Sequence, residues 1–375
     1  MPCARFDPLA ARRTADGPEV DLFVSGMVFL DIIFTGIANL PQPGTEEWAE
    51  GMASCPGGIA NLAIAARRLG LRTALAAAFS DDDYGEFCWR TMESGENIDL
   101  SHSRRFADWH SPVTVSMSVA RDRMMVTHGH PAPLTPAELI GEPPRSNVVM
   151  IDLAESEDGE VPAWVQLARA GGARVFADVG WDSSERWDQR ILDRLELAHA
   201  FFPNAGEAMA YTRTGTAQDA LYALADRVPL AVVTNGVDGA LGIDALTGEE
   251  ATVPALRVEA LDPTGAGDVF GAALTLGTLA EWPLRDRLNF ASLCSALAIQ
   301  QFGGSLAAPG WGDIADWWRC ARQRSAGTAY EASVVRRFGF LDDIVPAEHE
   351  TACRRATATI ARRADVEGLE QTSGV

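Results

Sequence analysis

The residues with the clearest capacity for chemistry are Asp262-Pro263-Thr264-Gly265-Ala266-Gly267-Asp268. An alternating apolar run, residues 251–261, precedes them and reads as a strand. A second apolar run, residues 269–274, follows and reads as a buried helix. A Gly-rich turn between strand and helix gathers backbone N–H groups at the helix N-terminus, where they can hold an anion. Gly265 and Gly267 have no Cβ, so a phosphate can approach the backbone, with Ala266 between them completing the cradle. The turn contains no Lys or Arg, so a phosphate held there would be neutralised by backbone dipoles and a metal ion. Asp268 would repel that phosphate unless it takes the proton from a hydroxyl attacking it. Base and oxyanion cradle must then be neighbours, because both touch one transferring phosphoryl group. A lone Gly-x-Gly-Asp would be read more simply as a carboxylate opposing the helix dipole. The whole stretch is more specific. It predicts phosphoryl transfer with Asp268 as general base and Gly265, Ala266 and Gly267 as anion hole.

The elements that must position this turn follow from the apolar pattern. Residues 21–26 read as a first buried strand. Residues 148–153, 175–179, 200–203 and 230–234 are further short apolar runs, and helical patterns at 163–170, 189–197, 207–212 and 217–227 lie between them. Short buried strands alternating with helices predict an α/β fold, a mostly parallel sheet with helices on both faces. The turn after the first strand holds only Gly26, which argues against a dinucleotide-binding G-x-G-x-x-G domain. Residues 32–38 and 46–52 flank a Pro/Gly loop and read as two strands, and residues 112–120 and 124–127 read as another pair turned at Arg121-Asp122-Arg123. Pro56-Gly57-Gly58 opens a helix at 62–69, with Asn61 offering a donor and an acceptor at its mouth. Asp81-Asp82-Asp83 lacks the spacing of a calcium loop and reads as a helix cap.

Bulk properties narrow the partners. The 375 residues carry a formal charge of −21, with 52 acidic against 31 basic residues. Such a surface repels nucleic acid and anionic lipid. No apolar run is long enough to span a membrane, and no signal peptide is read at the N-terminus. The 6 Cys include no C-x-x-C pair, so free thiols in a cytoplasmic protein are expected.

The stretch from Asp262 to Asp268, continuing through Phe270 and Gly271, resembles the C-terminal signature of the ribokinase-like (PfkB) carbohydrate kinases. The resemblance runs over residues 22–322. It implies a ribokinase-like domain at 21–324 with a small β-sheet lid formed by 32–55 and 111–128. Residues 1–20 are then a loose tail and 325–375 a C-terminal extension, with a charged surface helix expected near Cys353. The resemblance implies ATP as co-substrate, Mg²⁺, and a hydroxymethyl group of a small sugar as acceptor. Asp31, Gly57, Gly58 and Asn61 correspond to substrate-binding residues, although the Gly pair stands one residue nearer to Asn61 than is usual. Asn204-x-x-Glu207 resembles the magnesium and phosphate motif, a spacing that an ordinary capping box fits equally well. Thr234-Asn235-Gly236 resembles the nucleotide-binding turn. Asp262 and Thr264 would support a monovalent cation such as K⁺, as in some relatives. Arg123, at the lid turn, would close on the transferring phosphate, whose equatorial oxygens spread negative charge. Asp178 matches a family position, but Gly180 and Asp182 do not, and the loss of a basic residue there weakens the case for a sugar-phosphate acceptor. A homodimer through the lid is a further expectation. The rival readings are a nucleoside kinase of the same fold and a non-catalytic nucleotide- or sugar-binding regulator.

Overall fold

Apolar runs with both faces buried form the centre of the molecule, as seen in a computed structural model that describes residues 6–119, 122–153, 161–180, 182, 184–301, 303–324, 327–346 and 353; at 118, 119, 122 and 123 it describes the backbone alone. Strands β1 (Val20–Ser25), β2 (Val28–Ile37), β3 (Gly51–Gly58), β4 (Thr73–Ala76), β5 (Ala78–Ser80), β6 (Arg104–Phe106), β7 (Val113–Val119) and β8 (Asp122–His128) come first. They are followed by β9 (Ser146–Asp152), β10 (Arg174–Asp178), β11 (Ala200–Phe201), β12 (Leu230–Thr234), β13 (Ala240–Asp244) and β14 (Glu249–Val253). The main sheet has the order β14-β13-β12-β11-β10-β9-β1-β4 and is parallel from β12 to β4. The β13 and β14 strands extend it antiparallel at one edge.

Alternation within each strand feeds two cores. Leu22, Val24, Val148 and Met150 point to one, and Phe23, Val149 and Ile151 to the other. The first face is covered by α1 (Ile59–Arg68), α2 (Asp83–Arg90) and, further along the chain, α7 (Ala266–Leu279), α8 (Leu284–Ala298) and α9 (Trp311–Gln323). The second is covered by α3 (Pro136–Ile140), α4 (Ala163–Ala170), α5 (Ala205–Thr212) and α6 (Ala217–Ala225). A separate four-stranded sheet, β3-β2-β7-β8, is the lid. Asp82 caps α2 by accepting from Gly85 N–H at 2.7 Å, as the acidic triplet suggested.

Several expectations are corrected. The strand read at 251–261 ends at Val253, because Pro254 has no N–H to continue the ladder. The chain then runs outside the sheet until Leu261 N–H bonds the Ile299 carbonyl at 2.7 Å. Residues 240–244, not read as a strand, form β13, and residues 189–197 wind as a 3₁₀ helix. The part of the tail that is described packs on the body. Leu9 is buried, Phe6 meets Trp311 edge to face, and Arg13 pairs with buried Asp21 at 2.8 Å. Beyond residue 324, α10 (Ala329–Arg337) and α11 (Leu341–Ile344) bury Val334, Phe338 and Leu341 against the first core. The charged surface helix expected around Cys353 falls on residues outside those described, apart from Cys353 itself, which is buried.

Candidate active site

Parallel strands place their carboxyl ends along one rim of the sheet, and Asp152, Asp178, Asn204 and Thr234 stand at or just beyond the ends of β9, β10, β11 and β12 on that rim. Gly265 precedes α7 with φ +74°, the left-handed conformation that glycine adopts freely. That turn opens α7 with no side chain at its N-cap; Ala266 N–H donates to the Pro263 carbonyl at 3.2 Å, and Asp268 N–H stands against its own carboxyl. Asp262 is buried. Its Oδ1 accepts from Thr264 N–H at 2.9 Å and from the Thr264 hydroxyl at 2.5 Å. Its Oδ2 has no hydrogen-bond partner among the described residues.

Asp268 sits in the first turn of α7, where solvent reaches it although protein surrounds it densely. Burial pushes its carboxyl up to about 7, against hydrogen bonds from Asn61 and its own N–H that favour the ionised form. Asn61 comes from α1, which packs along α7, and its Oδ1 has no partner among the described residues. Asn61 therefore links the α7 turn to the lid, because α1 continues directly from β3.

At that junction Asp31, on β2, is buried and lies opposite Cys55 in register. A Cβ at Gly57 would fall 1.9 Å from Asp31 Oδ2, so only glycine leaves room for this carboxylate. Gly58, with φ +63°, turns the chain from β3 into α1. Gly304 closes the same corner, its Cα so near that a Cβ would lie 3.3 Å from Cys55 Sγ and 3.6 Å from Asn61 Oδ1. This segment is pinned by Arg68, fully buried against Glu96 at 2.7 Å, which donates to the carbonyls of Leu306 and Ala308.

On the other side, Asn204 and Thr234 meet as a bridge between the ends of β11 and β12, with Gly236 turning beyond them at φ +52°. Asn204 and Glu207 form a reciprocal capping box. Glu207 N–H donates to Asn204 Oδ1 at 3.0 Å, and Asn204 N–H donates to Glu207 Oε2 at 3.0 Å. The spacing is thus accounted for by capping, which leaves Glu207 Oε1 and the Asn204 amide group for other partners. Burial raises the Glu207 carboxyl, and the Asp152 charge adds to this. Burial likewise holds Asp178 well above the usual carboxylate range, with further upward pushes from Asp268, Glu207 and Asp152. Asp152 ends β9 and Asp178 ends β10, paired in register. No expectation covered Asp152; its signal is its place inside the last apolar turn of the 148–153 run. Arg123 pairs with Ser118 across β7 and β8, and its side chain lies outside the described residues.

The sequence and the fold have known counterparts. The chain is 28% identical to the aminoimidazole riboside kinase of Salmonella typhimurium, over 68% of this chain and 85% of that one. It is 30% identical to a fructokinase of Klebsiella pneumoniae, over 76% and 92%. Its fold matches an Escherichia coli crystal structure in complex with ATP and Mg²⁺, with a TM-score of 0.68 at 19% identity, covering 80% of this chain and 99% of that one. It also matches the Salmonella enterica aminoimidazole riboside kinase complexed with aminoimidazole riboside and an ATP analogue, with a TM-score of 0.61 at 26% identity, covering 77% and 97%. The family model described as pfkB family carbohydrate kinase matches residues 31–310, so the chain belongs to the pfkB family of carbohydrate kinases and is an ATP-dependent sugar kinase.

Proposed function

We propose that this kinase phosphorylates a hydroxymethyl group of a small sugar, with Asp268 as general base. The observation that carries this reading is the Asp268 carboxyl, raised to about 7 and standing at the N-terminus of α7, which no side chain caps. A base poised near neutrality takes a proton efficiently when the hydroxyl attacks and can release it afterwards. Gly265, Ala266 and Gly267 supply the anion hole for the phosphoryl oxygens in flight. Asp31 accepts sugar hydroxyls across the gap left by Gly57 and Gly58, and Asn61 orients both the sugar and Asp268. Asn204, Thr234 and Gly236 receive the nucleotide along the ends of β11 and β12.

Magnesium fits this site on charge grounds, since Asp268, Glu207 and Asp152 push up the proton affinity of Asp178, Asp152 pushes up that of Glu207, and a divalent cation would relieve that repulsion. When bound, it would neutralise the phosphates, with Glu207 orienting it through its water shell. Asp262 Oδ2, buried and unpartnered, supports a monovalent cation such as K⁺ beside Thr264. Arg123 would add positive charge from the lid.

We read residues 21–324 as the kinase unit and 1–20 and 325–375 as additions to it, of which Leu9, Val334, Phe338 and Leu341 pack into the first core. A lid-to-lid homodimer is supported by β8, an edge strand on which Met125 and Val126 are exposed. A cytoplasmic location is supported by the free thiols at Cys55, Cys88, Cys294, Cys320 and Cys353. Among the described residues, no helix is long and apolar enough to cross a membrane.

Turnover of ATP with a panel of pentoses, hexoses and ribosides tests the acceptor. Phosphorylation of a free sugar is expected. Turnover confined to ribosides would favour a nucleoside-type acceptor, the second reading, which similarity to an aminoimidazole riboside kinase supports.

A further inference from the structure

Half of the chain's 6 His, namely His110, His128 and His130, converge at the base of the lid hairpin, and each is exposed. One nitrogen of each lies within 4.8 Å of the others. The His110 and His128 rings stack at 5.2 Å, and His130 meets His110 edge on at 4.7 Å. Clustered imidazoles with no carboxylate among them can bring three ring nitrogens to one ion. We propose that these three residues form a binding site for a first-row transition-metal ion of the Zn²⁺ type.

The backbone builds this convergence. His110 lies three residues before the start of β7, while His128 ends β8 opposite Val113 and His130 follows two residues later. Gly129 lets the His-Gly-His segment close around Pro112, where a Cβ would lie 2.9 Å from Pro112 Cβ. Trp109 Nε1 donates to the Pro131 carbonyl at 3.1 Å, tying the segment before His110 to the segment after His130. Ser111, next to His110, is fixed by Asp82, which accepts from its N–H at 2.8 Å and its hydroxyl at 2.7 Å. His110 Nδ1 stands 3.4 Å from the Ser111 carbonyl; donating there leaves Nε2 for a ligand, the usual arrangement of a metal-bound His.

Metal–nitrogen bonds of about 2.1 Å set tetrahedral ligands roughly 3.4 Å apart, so small rotations of these exposed rings bring all three onto one ion, with water as fourth ligand. Imidazole ligands select zinc, copper or nickel over Mg²⁺, which prefers oxygen. The site is separate from the sugar side of the lid. Thr114 pairs with both Asp31 and Thr127, so the neighbouring His128 lies on the opposite face.

The test uses full-length, tag-free protein stripped of metal. Zn²⁺ and Ni²⁺ are titrated in competition with a chromophoric chelator, alongside His110→Ala and the double variant His128→Ala/His130→Ala. Circular dichroism checks that the variants fold. Wild type should bind one Zn²⁺ per chain more than the double variant, and His110→Ala should bind it at least about 10–100-fold more weakly. Equal stoichiometry and affinity in wild type and a folded double variant would overturn the proposal, as would no Zn²⁺ uptake by wild type.

Discussion

Replacing Asp268 with Asn should do two opposite things, and the structure sets the size of each. The carboxyl is raised from 3.8 to about 7 by burial, so between these values the folded protein holds a proton that the unfolded chain has released. Its contribution to stability is therefore fully present below about pH 4 and is lost as pH rises through about 7. The rise from 3.8 to about 7 corresponds to roughly 4 kcal/mol, and because Asp268 is partly exposed about half of that is expected. Asn is nearly isosteric and never ionises. Asp268→Asn should accordingly match wild type in urea unfolding near about pH 3.5, begin to exceed it above about pH 4 and exceed it by about 2 kcal/mol near about pH 8.5, without magnesium. Removing the negative charge also relaxes Asp178, in the same direction. Turnover should fall by about 10²–10⁴-fold while ATP binding persists. Wild-type kcat/KM should climb as pH passes through about 7 and then level off. Parallel pH–stability curves for the two proteins would refute the buried-carboxyl argument, and near-normal turnover would place the base elsewhere.

Glu207→Gln keeps an oxygen to accept from Asn204 N–H, so the cap and the melting temperature should survive while the Mg²⁺ concentration for half-maximal rate rises; an unchanged magnesium response would leave Glu207 as a helix cap only. Gly57→Ala puts a methyl 1.9 Å from Asp31 Oδ2. Parting the lid strands should cost about 1–3 kcal/mol, read as a sugar KM raised roughly 5–150-fold with the KM for ATP unchanged. Equal sugar KM values would remove Asp31 from the sugar site. Arg123→Ala should lower kcat more than it raises the acceptor KM, and steady-state kinetics with an unaltered kcat would return Arg123 to the surface.

The sequence by itself determined the Gly-rich turn that opens α7 and the layering around it. Gly265, free to take a left-handed conformation, ends the approach to α7, and Asp268 then falls in its first turn. Uniformly apolar runs such as residues 148–153 can only be strands or helix segments buried on both faces. These are local properties, fixed by sterics and by period. The Asn204 and Glu207 pair was legible as a capping box for the same reason. Other features depended on which distant segments meet. The run from 251 could not reveal that Pro254 would end an edge strand, because leaving the sheet is compensated by the contact between Leu261 and Ile299. Asp152 reads as one more strand-end residue until β9 and β10 lie in register and bring it against Asp178. The raised carboxyl of Asp268 needs the dense surroundings that α1 and the lid supply, and burial is a property of the folded whole. Likewise, His110 and His130 are separated by the β7–β8 hairpin in sequence, and only the antiparallel pairing of those strands returns the chain to place them together.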